Sequence, residues 1–125
     1  MALSLREEDV MRLNRTLVEM LRRSEADGCV ICDAGGYVLA ERGRGAEDSL
    51  LVSALGAGVF AASRELVRIL GEDEFSAVLH QGERKSIFIR AVSSEVLLVV
   101  IFSNHASVGL VKLYATPATR AIRRV

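Results

Sequence analysis

Apolar residues recur at helical spacing early in the chain. Val10, Leu13, Leu17, Met20 and Leu21 fall on one side, and Arg12, Arg15, Glu19, Arg22 and Arg23 fall largely on the other. The pattern predicts an amphipathic helix of about six turns with one buried face. Ser4 and Glu7 have the spacing of a capping box, in which a hydroxyl and a carboxylate satisfy free amides at a helix start. Gly28 is the expected stop. Residues 28–42, GCVICDAGGYVLAER, then carry two β-rich runs, Cys29–Asp33 and Tyr37–Glu41, around Ala34-Gly35-Gly36. That is a hairpin signal, with Asp33 suited to cap the turn.

After a polar loop from Arg42 to Asp48, SLLVSALGAGVFAASRELVRIL predicts a second long helix that ends at Gly71. Its first half is apolar or small almost all round, so it is expected to be covered on two sides. Ala54, Ala57, Gly58, Ala61 and Ala62 form a row of small residues that lets another backbone approach. Gly56 and Gly58 each cost about 1 kcal/mol inside a helix, and close packing is the expected offset. Three strand-like runs follow, Ser76–His80, Ser86–Val92 and Glu95–Ser103, which predict an antiparallel meander. The last run is continuously apolar, as a central strand with both faces covered would be. The tail, SVGLVKLYATPATRAIRR, predicts a third helix. At Pro117 it either kinks or restarts with Thr116 as N-cap, and its basic end is expected to fray.

The order is α-β-β-α-β-β-β-α. It predicts an α+β fold, a three-layer helix–sheet–helix sandwich around one five-stranded antiparallel sheet. The second helix is expected on one face and the terminal helices on the other. A length of 125 residues fits a single domain over residues 1–125, and 50% apolar residues suffice for a core.

Charge narrows the function classes. Sixteen Lys+Arg balance sixteen Asp+Glu, which argues against nucleic acid and against a polybasic membrane anchor. The longest purely apolar run, Val96–Phe102, is far shorter than the ~20 residues of a spanning helix. The acidic start MALSLREEDV has no apolar signal region, so a cytoplasmic protein is expected. No GxxxxGK[ST], GxGxxG or HExxH is present.

Candidate chemistry is sparse, and no catalytic, cofactor-binding or metal-binding residue is assigned. Cys29 and Cys32 have CxxC spacing. On a strand, however, they point to opposite faces with Cα atoms about 10 Å apart, beyond disulfide reach. Two buried structural cysteines are expected. His105 sits at a strand-to-helix junction, where either it or Asn104 can cap the helix. Neither His105 nor His80 has a nucleophile at recognisable spacing, and Ser103 and Ser107 read as turn and cap residues. Glu72-Asp73-Glu74 reads as a solvated turn. Arg64 and Arg68 lie one turn apart near Glu65, a solvated face with local ion pairing or a contact for an acidic or phosphate-bearing partner. The strand SAVLHQ has no charge and no proline. At a sheet edge it is an open template for pairing, and beside an over-apolar helix it suggests a shared dimer surface. A monomer with a loop over that edge is the alternative.

In this order, the segments resemble the Roadblock family of dynein light-chain type, in its bacterial MglB-like branch. GCVICDAGGYVLAER is similar to the family's hairpin, SLLVSALGAGVFAASREL to its Ala-rich second helix, and SNHASVGLVKL to its junction into the last helix. The likeness runs from about Leu13 to Ile122. Pro117 departs from it, since that helix is usually unbroken there, and the longer C-terminal extension of some members is missing. The resemblance implies a profilin-like fold and a homodimer in which third strands pair and second helices lie side by side. Val59, Ala62, Leu66, Ala77, Val78, Leu79 and His80 would then lie in the interface. It also implies a Ras-like small GTPase as partner, faced by Arg64 and Arg68, and no enzyme activity of its own. An assembly adaptor without effect on GTP turnover is one alternative. A small-molecule sensor is another, although the aromatic-poor core argues against a ligand pocket.

Overall fold

The computed structural model describes residues 5–45, 48–72, 76–103 and 107–125. The elements are α1 (Glu7–Ser24), β1 (Gly28–Asp33), β2 (Val38–Gly43), α2 (Ser49–Ile69), β3 (Ala77–Gln81), β4 (Lys85–Ala91), β5 (Val96–Ser103) and α3 (Val108–Arg123). The five strands form one antiparallel sheet in the order β2-β1-β5-β4-β3. The expected α+β helix–sheet–helix sandwich is therefore present.

The sheet's order follows from its sequence. β1 and β5 are apolar on both faces, and both are buried along almost their whole length at the centre. Alternation along them splits the core in two. Leu13, Leu17 and Met20 of α1 and Val111, Ala115 and Ile122 of α3 pack with Cys29, Ile31, Leu98, Val100 and Phe102. On the opposite face, Ala57 and Phe60 of α2 pack with Val30, Cys32, Ile89, Leu97 and Val99. The long second helix thus covers one face and the terminal helices the other, as expected.

Several local expectations change. α1 has five turns and not six, because it starts at Glu7 and ends at Ser24. Ser4 lies outside the described residues, and the helix start is closed instead by Asp9, whose carboxylate accepts the Arg6 backbone N–H at 3.1 Å. The stop is Glu25 in a left-handed conformation, its N–H bonded to Leu21 O, while Gly28 already belongs to β1. α3 passes through Pro117 as one helix and does not restart at Thr116. Pro117 lacks the N–H that would reach Leu113 O. In the same turn, Thr116 Oγ1 accepts from Arg90 at 2.9 Å and so ties the helix to β4. The last turn is not frayed: Arg123 donates to Val92 O, and Val125 packs on the core. Ser107 caps α3 by accepting the Leu110 N–H at 3.4 Å. Asn104, His105, Asp73 and Glu74 lie outside the described residues.

The hairpin turn is built as expected. Asp33 Oδ1 accepts from Gly35 N at 3.0 Å and Tyr37 N at 2.9 Å. Its other oxygen, Oδ2, is buried with no hydrogen-bond partner among the described residues.

Candidate interaction surface

α2 is apolar on two sides, and only one of them meets the sheet. Ser53, Gly56, Ala57 and Phe60 are buried against it. Opposite them run Leu51, Leu55, Val59, Ala62, Leu66 and Ile69, spaced three or four apart on one stripe. Leu55 is 65% exposed, Leu66 63% and Ile69 80%. Isolated exposed leucines are ordinary, but a continuous stripe over five turns marks an interaction surface. By length and mean hydropathy α2 could cross a membrane. Its docking on the sheet through Phe60 and Ala57 sets it apart from a helix surrounded by lipid.

Beside this stripe the sheet is only half covered. β3 is an edge strand, and its outer side pairs with no strand among the described residues. Between α2 and the β3–β4 end lies a groove of about 470 Å³, walled by Leu51, Leu55 and Val59 and by His80, Ile87 and Ile89. Val59 and His80, 21 positions apart in sequence, therefore line one space. Val78 packs on the α2 side of β3, whereas Ala77 and Leu79 face the α1–α3 side. The structure brings Val59 and His80 to one groove and packs Val78 on the α2-side core. It places Ala77 and Leu79 at the same edge by backbone only.

Arg64 and Arg68 lie elsewhere. They follow Phe60 at four and eight residues, on the sheet-facing stripe of α2 rather than the Val59–Ala62–Leu66 stripe. The Arg64 guanidinium stacks 5.1 Å from the centre of the Phe60 ring. Arg68 pairs with Glu65 at 3.1 Å, the local ion pairing expected from spacing. Gly56 fits its expected role, since a Cβ there would touch Ile89 at 3.5 Å and Val99 at 3.9 Å. Gly58 faces the other way, and its Cβ position is open within this chain. Residues not singled out from sequence are Leu51, Leu55, Ile69 and Ile87. The first three were visible as a second apolar stripe at helical spacing. Ile87 has no sequence signal of its own, because half-coverage of β4 depends on where α2 ends.

Cys29 and Cys32 are free, buried, and on opposite faces of β1. Burial pushes the Cys29 thiol up to about 12 and the Cys32 thiol up to about 11. Both are therefore poor nucleophiles. Native protein at pH 8 is expected to resist maleimide labelling, with both thiols reacting in denaturant, as mass spectrometry will show. The raised values also set a pH limit. The unfolded thiols ionise first, near 9, so the stabilisation is complete below pH 9 and is lost as pH rises through 11 to 12. Among the described residues, no three His, Cys, Asp or Glu side chains gather to hold a metal.

The Roadblock/LC7 domain profile matches residues 12–102. The chain belongs to the Roadblock/LC7 family. The gliding protein MglB of Thermus thermophilus superposes with a TM-score of 0.90 at 31% identity, over 98% of this chain and 94% of that one. MglB of Myxococcus xanthus superposes with a TM-score of 0.88 at 30% identity, over 98% and 92%. An MglB structure with a tetrameric arrangement gives 0.92 at 31% identity, over 98% and 93%. Profilin II of Acanthamoeba castellanii, at 14% identity and a TM-score of 0.66 over 90% and 98%, shares the fold. No curated protein matches the chain by sequence. The resemblance read from the hairpin, the Ala-rich helix and the last junction is thereby shown. The Roadblock domain here tolerates Pro117 without a break in its last helix.

Proposed function

We propose that this Roadblock protein is a cytoplasmic, non-catalytic homodimer that regulates a Ras-like small GTPase by protein–protein contact, as an MglB-like member. One observation carries the reading: the open β3 edge and the unpartnered α2 stripe border the same groove. A second copy related by a two-fold axis would pair β3 with β3 and lay α2 against α2. Both open features would then be covered at once, as a self-complementary interface requires. Val59, Ala62 and Leu66 would contribute side chains to it, and Ala77, Val78, Leu79 and His80 the paired strand. Similarity to MglB at 30–31% identity over nearly the full chain supports the assignment to that branch. Arg64 and Arg68, held by Phe60 and Glu65 at the end of α2, are the proposed GTPase contacts.

The test has two stages. Sedimentation velocity over a concentration series is expected to show a dimer, and a monomer at every concentration would overturn the reading. Immobilised protein is then incubated with lysate containing GDP or a non-hydrolysable GTP analogue. Recovery of a Ras-like GTPase in one nucleotide state, with its hydrolysis or exchange changed by added protein, is the expected result. Equal recovery in both states with no change in turnover would favour the adaptor.

Gly58 offers a smaller check. Gly58→Ala adds a methyl where none of this chain's atoms lies within 4 Å. It is expected to stabilise the chain's own fold by about 0.5–1 kcal/mol in urea denaturation, through helix propensity. If a partner helix lies close there, the same change weakens self-association, which the concentration series will read.

A further inference from the structure

The sheet face opposite α2 carries a second groove, between α1 and α3, of about 450 Å³. Its floor is apolar: Met20 and Ala118 are buried, and Tyr114 and Ala121 are half-buried. Pro117 forms part of its wall, so the helix position that lacks an N–H also presents a rigid apolar ring. The rim carries more cations than carboxylates. Arg15, Glu19 and Arg23 border the groove, and Arg12 lies one turn before Thr16 on the same side of α1.

The charge around this groove is out of balance, although the chain as a whole is neutral. α3 brings no Asp or Glu, and its cations Lys112, Arg120 and Arg123 are not among the groove's lining residues. Beyond Asp9, α1 carries four arginines against the single carboxylate of Glu19. That carboxylate is already bound by Arg22 and Arg23. Arg15 and Arg120 have no ion-pair partner among the described residues.

We propose that the α1–α3 groove docks a short acidic segment of a partner protein, an apolar anchor seated on Met20, Tyr114 and Ala118 with Asp or Glu flanking it toward Arg15 and Arg12. Apolar floor and cationic rim together select that composition, because the anchor supplies affinity and the rim charge supplies selection and register. A concave groove with a buried floor favours a polypeptide over an anionic bilayer, whose binding needs apolar side chains that project outward. The groove lies on the other side of the sheet from α2 and β3. Docking there is independent of the dimer and leaves that surface free, so each copy could tether one acidic segment.

The test is selection from a random peptide display library on the full chain. It is expected to enrich peptides with a Leu or aromatic anchor beside Asp or Glu. Backbone amide shifts on adding a synthesised winner are expected at Thr16, Met20, Ala118 and Ala121. Arg15→Glu, on the exposed rim, is expected to weaken binding by about tenfold or more at low salt. Ala121→Trp, which fills the groove, should abolish it, and thermal melts keep either loss distinct from unfolding. Three results would overturn the proposal: no enrichment over blank resin, winners without acidic residues, or winners that shift only α2 and β3 amides. Binding to phosphatidylserine vesicles that Arg15→Glu abolishes, without peptide enrichment, would reassign the groove to a membrane surface.

Discussion

Val59→Asp is expected to turn the proposed dimer into a monomer, raising its dissociation constant about a thousandfold, or about 4 kcal/mol. Val59 is half-buried in the free chain and lines the groove that the second copy would close. In the monomer a carboxylate there keeps much of its hydration, so the fold should survive. In the dimer it would be sealed against apolar side chains of both helices with no cation nearby on the stripe. An unpaired buried charge is among the most costly changes an interface can suffer. Leu66→Asp should act in the same direction, since Leu66 lies on the same stripe and is exposed in the single chain. Met11→Asp is the control: Met11 is 58% exposed on α1, on the other side of the sheet. Light scattering after size exclusion, over a hundredfold range of loading, reads the oligomer, and circular dichroism on the same samples reads the fold. A Val59→Asp protein that stays folded and dimeric at wild-type concentrations would remove α2 from the interface.

The proposed interface is partly legible in the sequence, and the reasons are physical. β3 could be suspected as an edge because Ala77–Gln81 has neither charge nor proline to protect it. The excess apolarity of α2 was equally visible, but which residues it leaves bare depends on the rotation of the helix. That rotation is set by Phe60 and Gly56 against Ile89 and Val99, contacts that join distant segments. The same dependence separates Gly56 from Gly58. Two glycines two positions apart on a helix face different ways, and only Gly56 meets the sheet. Helix ends fared worst. The close of α1 uses Arg6 and Glu25, neither a preferred residue for its position, while Ser4 and Gly28 fit the rules better. Pro117 predicts a kink or a restart, because local propensity disfavours it inside a helix. Packing of Ala115, Ala118 and Ile122 on the core outweighs the one missing hydrogen bond. The α1–α3 groove had no sequence signal, since its floor and rim come from both ends of the chain.

Gly36→Ala is expected to destabilise the fold by about 3 kcal/mol, although the residue sits in a surface hairpin. Two effects add. Gly36 has φ of 92°, where any side chain is strained, at a cost of about 1–2 kcal/mol. In addition, the new Cβ would lie 2.9 Å from Ala54 Cα and 3.4 Å from Ala54 N. Those are backbone atoms of α2, which cannot rotate away as a flexible side chain would. The turn has no freedom to yield either, because Asp33 Oδ1 holds both Gly35 N and Tyr37 N. Relief therefore requires α2 to move off the sheet, which opens space around Ala57 and Phe60 and also shifts the Val59 stripe. The change should lower the urea midpoint and weaken dimerisation together, even though Gly36 is outside the proposed interface. Gly35→Ala is the matched control, since its Cβ would approach nothing closer than Asp33 Oδ1 at 3.3 Å, and its φ is not positive. If Gly36→Ala unfolds within about 0.5 kcal/mol of wild type, the hairpin does not brace α2, and the helix is held by its core face alone.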